Sequence, residues 1–241
     1  MKNLNKKILI SIFVFFIILL LSISIILADN VLNYQTFIDE EKIYYEIKYL
    51  DSNIINMANL LNNIENKESF YINWKKLSEQ SYCIHNYWNS VILDLNYLDI
   101  DKKDLTDFSK ILDELIVSIK QQDKSNTLKN LIELYNKLTI YVEKIENKNY
   151  KEICIINYNL LCAYNILETV NWTQAHEYIL IASKHIYNLV NSIEVNQYSQ
   201  YNINQAYVSI KELENLINVK DMDVFYFKYN IAINNLMNLT L

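Results

Sequence analysis

The chain has 241 residues and contains neither glycine nor proline; an average soluble chain of that length would hold about 17 of the first and 12 of the second. Its formal charge at pH 7 is −6, from 22 basic residues, every one a lysine, against 28 acidic ones. Without glycine there is no phosphate-binding P-loop, no dinucleotide fingerprint, no nucleophile elbow and no EF-hand of the usual kind, and tight β-turns lose their normal φ > 0 occupant. Asn, at 34 residues, and Ile, at 37, are in excess, as an AT-rich coding sequence would make them. The expected fold class is all-α, with helix ends and loops written in Asn, Asp and Ser.

The first feature along the chain is ILISIFVFFIILLLSISIIL, Ile8 to Leu27, which carries no charge. Twenty helical residues rise roughly 30 Å, the thickness of a bilayer's hydrocarbon core. Lys2, Lys6 and Lys7 precede the run, and Asp29, Asp39, Glu40 and Glu41 follow it. The positive-inside rule therefore predicts a cytoplasmic tip at 1–7, a transmembrane anchor at 8–27 and an exported remainder. The alternative is a signal peptide cut after Ala28, which would release a secreted protein. The run is longer than the usual signal-peptide core, and no helix breaker precedes the site, so the anchor is preferred. The first cysteine is Cys83, which rules out a lipoprotein anchor. Beyond the tip, 19 lysines face 28 acidic residues, a formal −9 that disfavours nucleic acid and anionic lipid as partners.

About eight antiparallel helices follow, read from apolar spacing. Ile43, Ile47, Leu50, Ile54, Met57, Leu61 and Ile64 alternate by four and three, and Trp74, Leu77, Ser81, Ile84, Trp88, Val91, Leu95 and Leu98 keep the rhythm. That is the seam of helices packed at a shallow angle, and no long stretch alternates with the period of a strand. Further seams start at Leu105, Leu128, Ile153, Ala175, Ile203 and Phe225. Asn73, Asp101 or Asp104, Asp123, Asn171 and Asp221 are the N-cap candidates, and Asn is expected at left-handed helix ends. The most polar stretch, Glu143 to Lys151, marks an expected boundary between helical units at 30–146 and 147–241.

An offset of 98 residues aligns the chain with itself. Asn73-Trp74 falls on Asn171-Trp172, Glu79 on Glu177, Glu114-Leu115 on Glu212-Leu213, Ile119 on Ile217, Asp123 on Asp221 and Leu138 on Leu236. Caps fall on caps, which suggests a four-helix unit used twice; hairpins of similar length are the alternative. The 34-residue period of tetratricopeptide repeats is missing.

Chemistry-bearing constellations are sparse. His176 and His185 are nine apart, so on one helix they point about 180° from each other and cannot share a metal, and neither they nor His85 follow the Glu-x-x-His pattern of di-iron bundles. Cys154 and Cys162 are eight apart, about 12 Å along a helix, too far to bridge. All three cysteines read as small core residues, with a disulfide from Cys83 to one of the others as the alternative. Glu40-Glu41 and Asp221/Asp223 sit at segment starts, where they suit the helix dipole. No catalytic, metal or cofactor site is expected. The 20 tyrosines include a set near segment ends (Tyr44, Tyr45, Tyr49, Tyr71, Tyr82, Tyr87, Tyr198, Tyr201, Tyr226 and Tyr229) with the chemistry of a binding surface, or simply of helix interfaces.

A lysine-tipped anchor leading into YWNSVILDLNYLDI, FSKILDELIVSIKQQDK, LIELYNKLTIY and KDMDVFYFKYN resembles uncharacterised membrane-anchored proteins of clostridial-type bacteria over most of residues 70 to 241. The resemblance implies an all-helical exported domain and supplies no catalytic residue. The expected function is a non-catalytic binding or scaffolding domain displayed outside the membrane, with a protein partner in the cell envelope. A sensory or ligand-holding domain working with a separate membrane partner is the alternative.

Overall fold

The computed structural model describes residues 40–62, 70–192 and 197–240, and among them every regular element is helical. The helices are α1 (40–62), α2 (Phe70–Leu95), α3 (Lys102–Lys120), α4 (Lys124–Val142), α5 (Lys148–Leu167), α6 (Trp172–Ser192), α7 (Gln197–Leu216) and α8 (Met222–Thr240), with one turn of 3-10 helix, Asn96–Leu98, after α2. The expected all-α class holds. The expected anchor at 8–27 and tip at 1–7 lie outside the described residues. Among the described residues no helix is long and apolar enough to cross a membrane.

Contacts divide the chain into Met1–Ile43, described only over residues 40–43, and a compact unit Tyr44–Leu241. In the larger unit each helix from α2 to α8 packs on the next, and α5 also packs on α8. The polar stretch Glu143 to Lys151 forms the turn between α4 and α5 and the first residues of α5. The seam residues do what their spacing demands. Leu50, Ile54, Met57 and Leu61 on α1, and Leu77, Ile84, Val91 and Leu95 on α2, are fully buried. A leucine or isoleucine buried this way contributes about 1.5–3 kcal/mol, and most of the stability of such helices comes from tertiary packing.

Aspartate and asparagine start the helices as expected. Asp101 accepts from the Lys103 amide, Asp123 from Asn126, Asn171 from Gln174 and Asp221 from Val224, at 2.8–3.2 Å. Asn147 does the same for Tyr150 at the start of α5. Asn73 is a correction: α2 begins at Phe70, so Asn73 lies inside the helix and is buried.

The left-handed positions are a second correction. Among the described residues they fall on Asp99, Gln122, Val170 and Lys220, none of them Asn. Each ends a helix or one-turn segment. After α3 the Asp123 amide reaches back to the Ser118 carbonyl at 3.0 Å, the long backbone bond of a Schellman-type ending. A β-branched residue at φ 58, as at Val170, carries more strain than Asn would. With glycine absent, turn geometry imposed by helix packing overrides residue preference.

Burial repeats at the 98-residue offset. Leu105, Phe108, Ile111, Leu112 and Leu115 of α3 match Ile203, Ala206, Ser209, Ile210 and Leu213 of α7, all buried. Thr127, Leu131, Leu134, Tyr135 and Leu138 of α4 match Phe225, Tyr229, Ala232, Ile233 and Leu236 of α8, again all buried. Trp74, Leu77, Ser81, Ile84, Trp88 and Val91 of α2 match Trp172, Ala175, Ile179, Ala182, Ile186 and Leu189 of α6. Gln122 and Lys220, with φ of 55° and 56°, hold the same place in the two turns.

Candidate functional site

The most strongly perturbed chemistry lies at Asp51, in the middle of α1. Its spacing places it on the apolar seam, four residues after Ile47 and three before Ile54, and its exposure is 2%. Two phenols satisfy the carboxylate: Tyr135 of α4 donates to Oδ1 at 2.5 Å and Tyr150 of α5 to Oδ2 at 3.0 Å. Burial raises the Asp51 pKa from the ordinary carboxylate range to about 6, against the opposing pull of both phenols and of Lys48. Burial first, and Asp51 second, hold the phenols of Tyr135 and Tyr150 and the thiol of Cys154 protonated well above their usual ranges.

These groups lock α1 to α4 and α5 and do not build a reaction centre. Cys154 is kept as a thiol, which is neither nucleophile nor metal ligand. Asp51, Tyr135 and Cys154 have almost no surface through which a substrate could reach them. The apolar seam positions by themselves do not reveal the cluster; its signal in the sequence is an acid at a core spacing. Tyr135 and Tyr150 gave no comparable signal, since a seam tyrosine is usually an ordinary core residue.

The histidines and cysteines lie dispersed over the helices. His185 Nδ1 meets Glu152 Oε2 at 2.6 Å, and His85 lies 3.5 Å from Asp113 on the adjoining helix. No group of three or more His, Cys, Asp or Glu residues able to hold a metal occurs among the described residues. Cys83 is exposed, Cys154 and Cys162 are buried, and all three are free thiols. Burial raises the Cys162 thiol to about 11, despite a bond with Tyr158 that lowers it.

The tyrosine set divides by environment. Tyr45, Tyr49, Tyr71, Tyr82 and Tyr201 are exposed, Tyr44, Tyr87 and Tyr226 are half-buried, and Tyr229 is in the core. The side chain of Tyr198 lies outside the described residues. Around the first turns of α1 the rings form two groups. Tyr45 meets Tyr44 at 5.4 Å, Tyr44 meets Tyr150 at 5.3 Å, and Tyr49 meets Tyr87 at 4.2 Å. Lys48 and Lys120 lie over the Tyr44 and Tyr82 rings. Rigid aromatic area with hydroxyl handles is the usual material of a contact surface. No protein-family model, curated protein or solved structure matches the chain.

Proposed function

We propose that this is a membrane-anchored, extracytoplasmic helical domain that binds or scaffolds other envelope components and has no catalytic activity of its own. The observation that carries this reading is the charge-free run Ile8 to Leu27 behind three lysines, which fits a single span with the remainder exported. The exposed tyrosines and the sealed, unreactive Asp51 cluster suit a binding role. The resemblance to anchored clostridial-type proteins points the same way.

We further propose that the helical part is one four-helix unit used twice. The shared burial register of α2–α4 and α6–α8 supports it, as does the closure of the second set by α5 against α8. The first helices align at a larger offset. Ile47, Leu50, Asp51, Ile54, Met57, Ala58 and Leu61 match Tyr150, Ile153, Cys154, Asn157, Leu160, Leu161 and Tyr164, 103 residues on and all buried. The first copy thus has five more residues between the cores of its first two helices.

Cys83 offers a direct test of placement, because it is the exposed thiol among three. A membrane-impermeant maleimide applied to intact cells should label Cys83, and the labelled protein should stay with the membrane through alkaline extraction. Labelling that requires lysis would overturn export. Release by alkali would overturn the anchor.

A further inference from the structure

Val195 to Ile210 and Tyr229 to Leu241 carry no charged residue. The two stretches supply the N-terminal part of α7 and the C-terminal part of α8, which pack against each other as an antiparallel hairpin. There they leave an open cleft of about 230 Å³, lined by Tyr201, Asn202, Gln205, Asn235 and Asn238.

The equivalent surface of the first hairpin shows what is unusual here. Asp104, Asp107 and Lys137 stand 98 residues before Asn202, Gln205 and Asn235. In that hairpin Lys137 Nζ sits 2.7 Å from Asp104 and 2.9 Å from Asp107, so an ion-paired cluster closes the seam. In the second hairpin all three charges are replaced by neutral amides, and across the seam at these positions Asn235 Nδ2 donates to the Gln205 carbonyl at a long 3.3 Å. Lys103 is likewise replaced by Tyr201, which is 62% exposed.

A lining without formal charge offers nothing to neutralise a phosphate, a carboxylate or an ammonium group. Side-chain amides each present both donors and an acceptor, and a tyrosine ring presents a flat apolar face. The partner of that combination is a ring with C–H groups on its face and hydroxyls around its edge. We propose that the α7–α8 cleft binds a neutral sugar unit, with Tyr201 stacked on the ring and Asn202, Gln205, Asn235 and Asn238 hydrogen-bonded to its hydroxyls. The cleft is smaller than the usual 300–1,000 Å³ ligand pocket, so it takes one unit, with affinity in the millimolar range. This names a ligand class for the binding role proposed above and rests on that reading for where the glycan is met, outside the membrane.

The test uses the full chain in a zwitterionic, sugar-free detergent and saturation-transfer NMR. The probes are glucose, galactose, N-acetylglucosamine and their disaccharides, with glucose 1-phosphate and glucuronate as charged controls. At least one neutral sugar should show transfer, and the controls should not. Tyr201→Ala should lower the signal at least tenfold. The triple change Asn202→Asp, Gln205→Asp and Asn235→Lys rebuilds the ion-paired seam of the first hairpin; it should melt cooperatively and lose the signal. Absence of transfer from every neutral sugar, or transfer that survives both Tyr201→Ala and Asn238→Ala, would overturn the proposal, whether or not the triple variant folds. Export is scored separately by Cys83 labelling. Sugar binding with Cys83 protected in intact cells overturns export alone, and labelled Cys83 without sugar binding overturns the cleft alone.

Discussion

The hairpin α3–α4 and the hairpin α7–α8 have the same buried register and the same turn, a left-handed residue followed by a capping aspartate. They differ on the surface. The first holds Lys137 between Asp104 and Asp107; the second holds three neutral amides in the same places. They differ in the core as well. Around the first hairpin, Trp88 stacks on Phe108 at 4.1 Å and lies 6.1 Å from Tyr141, whereas Ile186 takes the place of Trp88 in the second half. There the aromatic mass moves to Phe225, Tyr164 and Tyr229. The lesson is that core register alone specifies the hairpin. Side-chain volume can be redistributed within it, and the outer seam is free to take on another role.

The largest effect that would break this comparison comes from the core. Trp88→Ala removes the stack and the 2.8 Å bond from Nε1 to Ser109 Oγ, and should cost about 3–5 kcal/mol in denaturant unfolding. Ile186→Ala, at the matching position, should cost less, about 2–4 kcal/mol. If Ile186→Ala proved the more damaging, equivalence of the two cores would fail.

Next comes Asp51, which occupies the register position of Cys154 in the second half. Its folded pKa of about 6 lies above the ordinary value of 3.8, so the folded state holds the proton more tightly than the unfolded chain. The stability it contributes is fully present below about pH 4 and is lost as pH rises through 6. Asp51→Asn, which cannot ionise, should be more stable than the parent at pH 7, by up to about 3 kcal/mol, with the gap closing as pH falls to 4. Melting curves of both proteins across that range measure the difference. A gap that does not change with pH would mean that the two phenols fully offset burial.

The smallest effect sharpens the surface contrast. Lys137→Asn gives the first hairpin the residue of the second and leaves Asp104 and Asp107 facing each other. The lysine bond holds the Asp107 carboxyl below its usual range, so the pair's contribution is present above the carboxylate range and lost as pH falls. The variant should melt a few degrees lower at neutral pH and low salt, and the loss should shrink in high salt. The matching change Asn235→Ala should barely move the melting temperature.

Much of the fold was legible along the chain because a helix must place apolar residues every three or four positions to be covered at all. Leu77, Ile84, Trp88 and Val91 are buried where that rule puts them. Asp101, Asp123, Asn171 and Asp221 cap because a short polar side chain reaches the exposed amides from the residue before a helix, whatever the helix then packs on. The site was less legible. Asp51 sits at a core spacing, but its partners come from Tyr135 and Tyr150, 84 and 99 residues away. Nothing local distinguishes these two phenols from other seam tyrosines. The cleft was hidden in the same way, since Asn202 and Asn235 read as ordinary solvated amides until α7 and α8 are set side by side.

The sequence by itself determined the all-helical class, the seams, most of the caps and, through its zeros in glycine and proline, what motifs are excluded. Those properties depend on neighbours within a turn or two, which local periodicity records. Only the tertiary structure decided that Asn73 is interior, that Val170 and Lys220 take left-handed turns, that Asp51 is clamped by two phenols, and that Lys137 is held between Asp104 and Asp107. Each of those outcomes depends on which helix is brought against which, and the free energy of long-range packing outweighs the preference of any single residue.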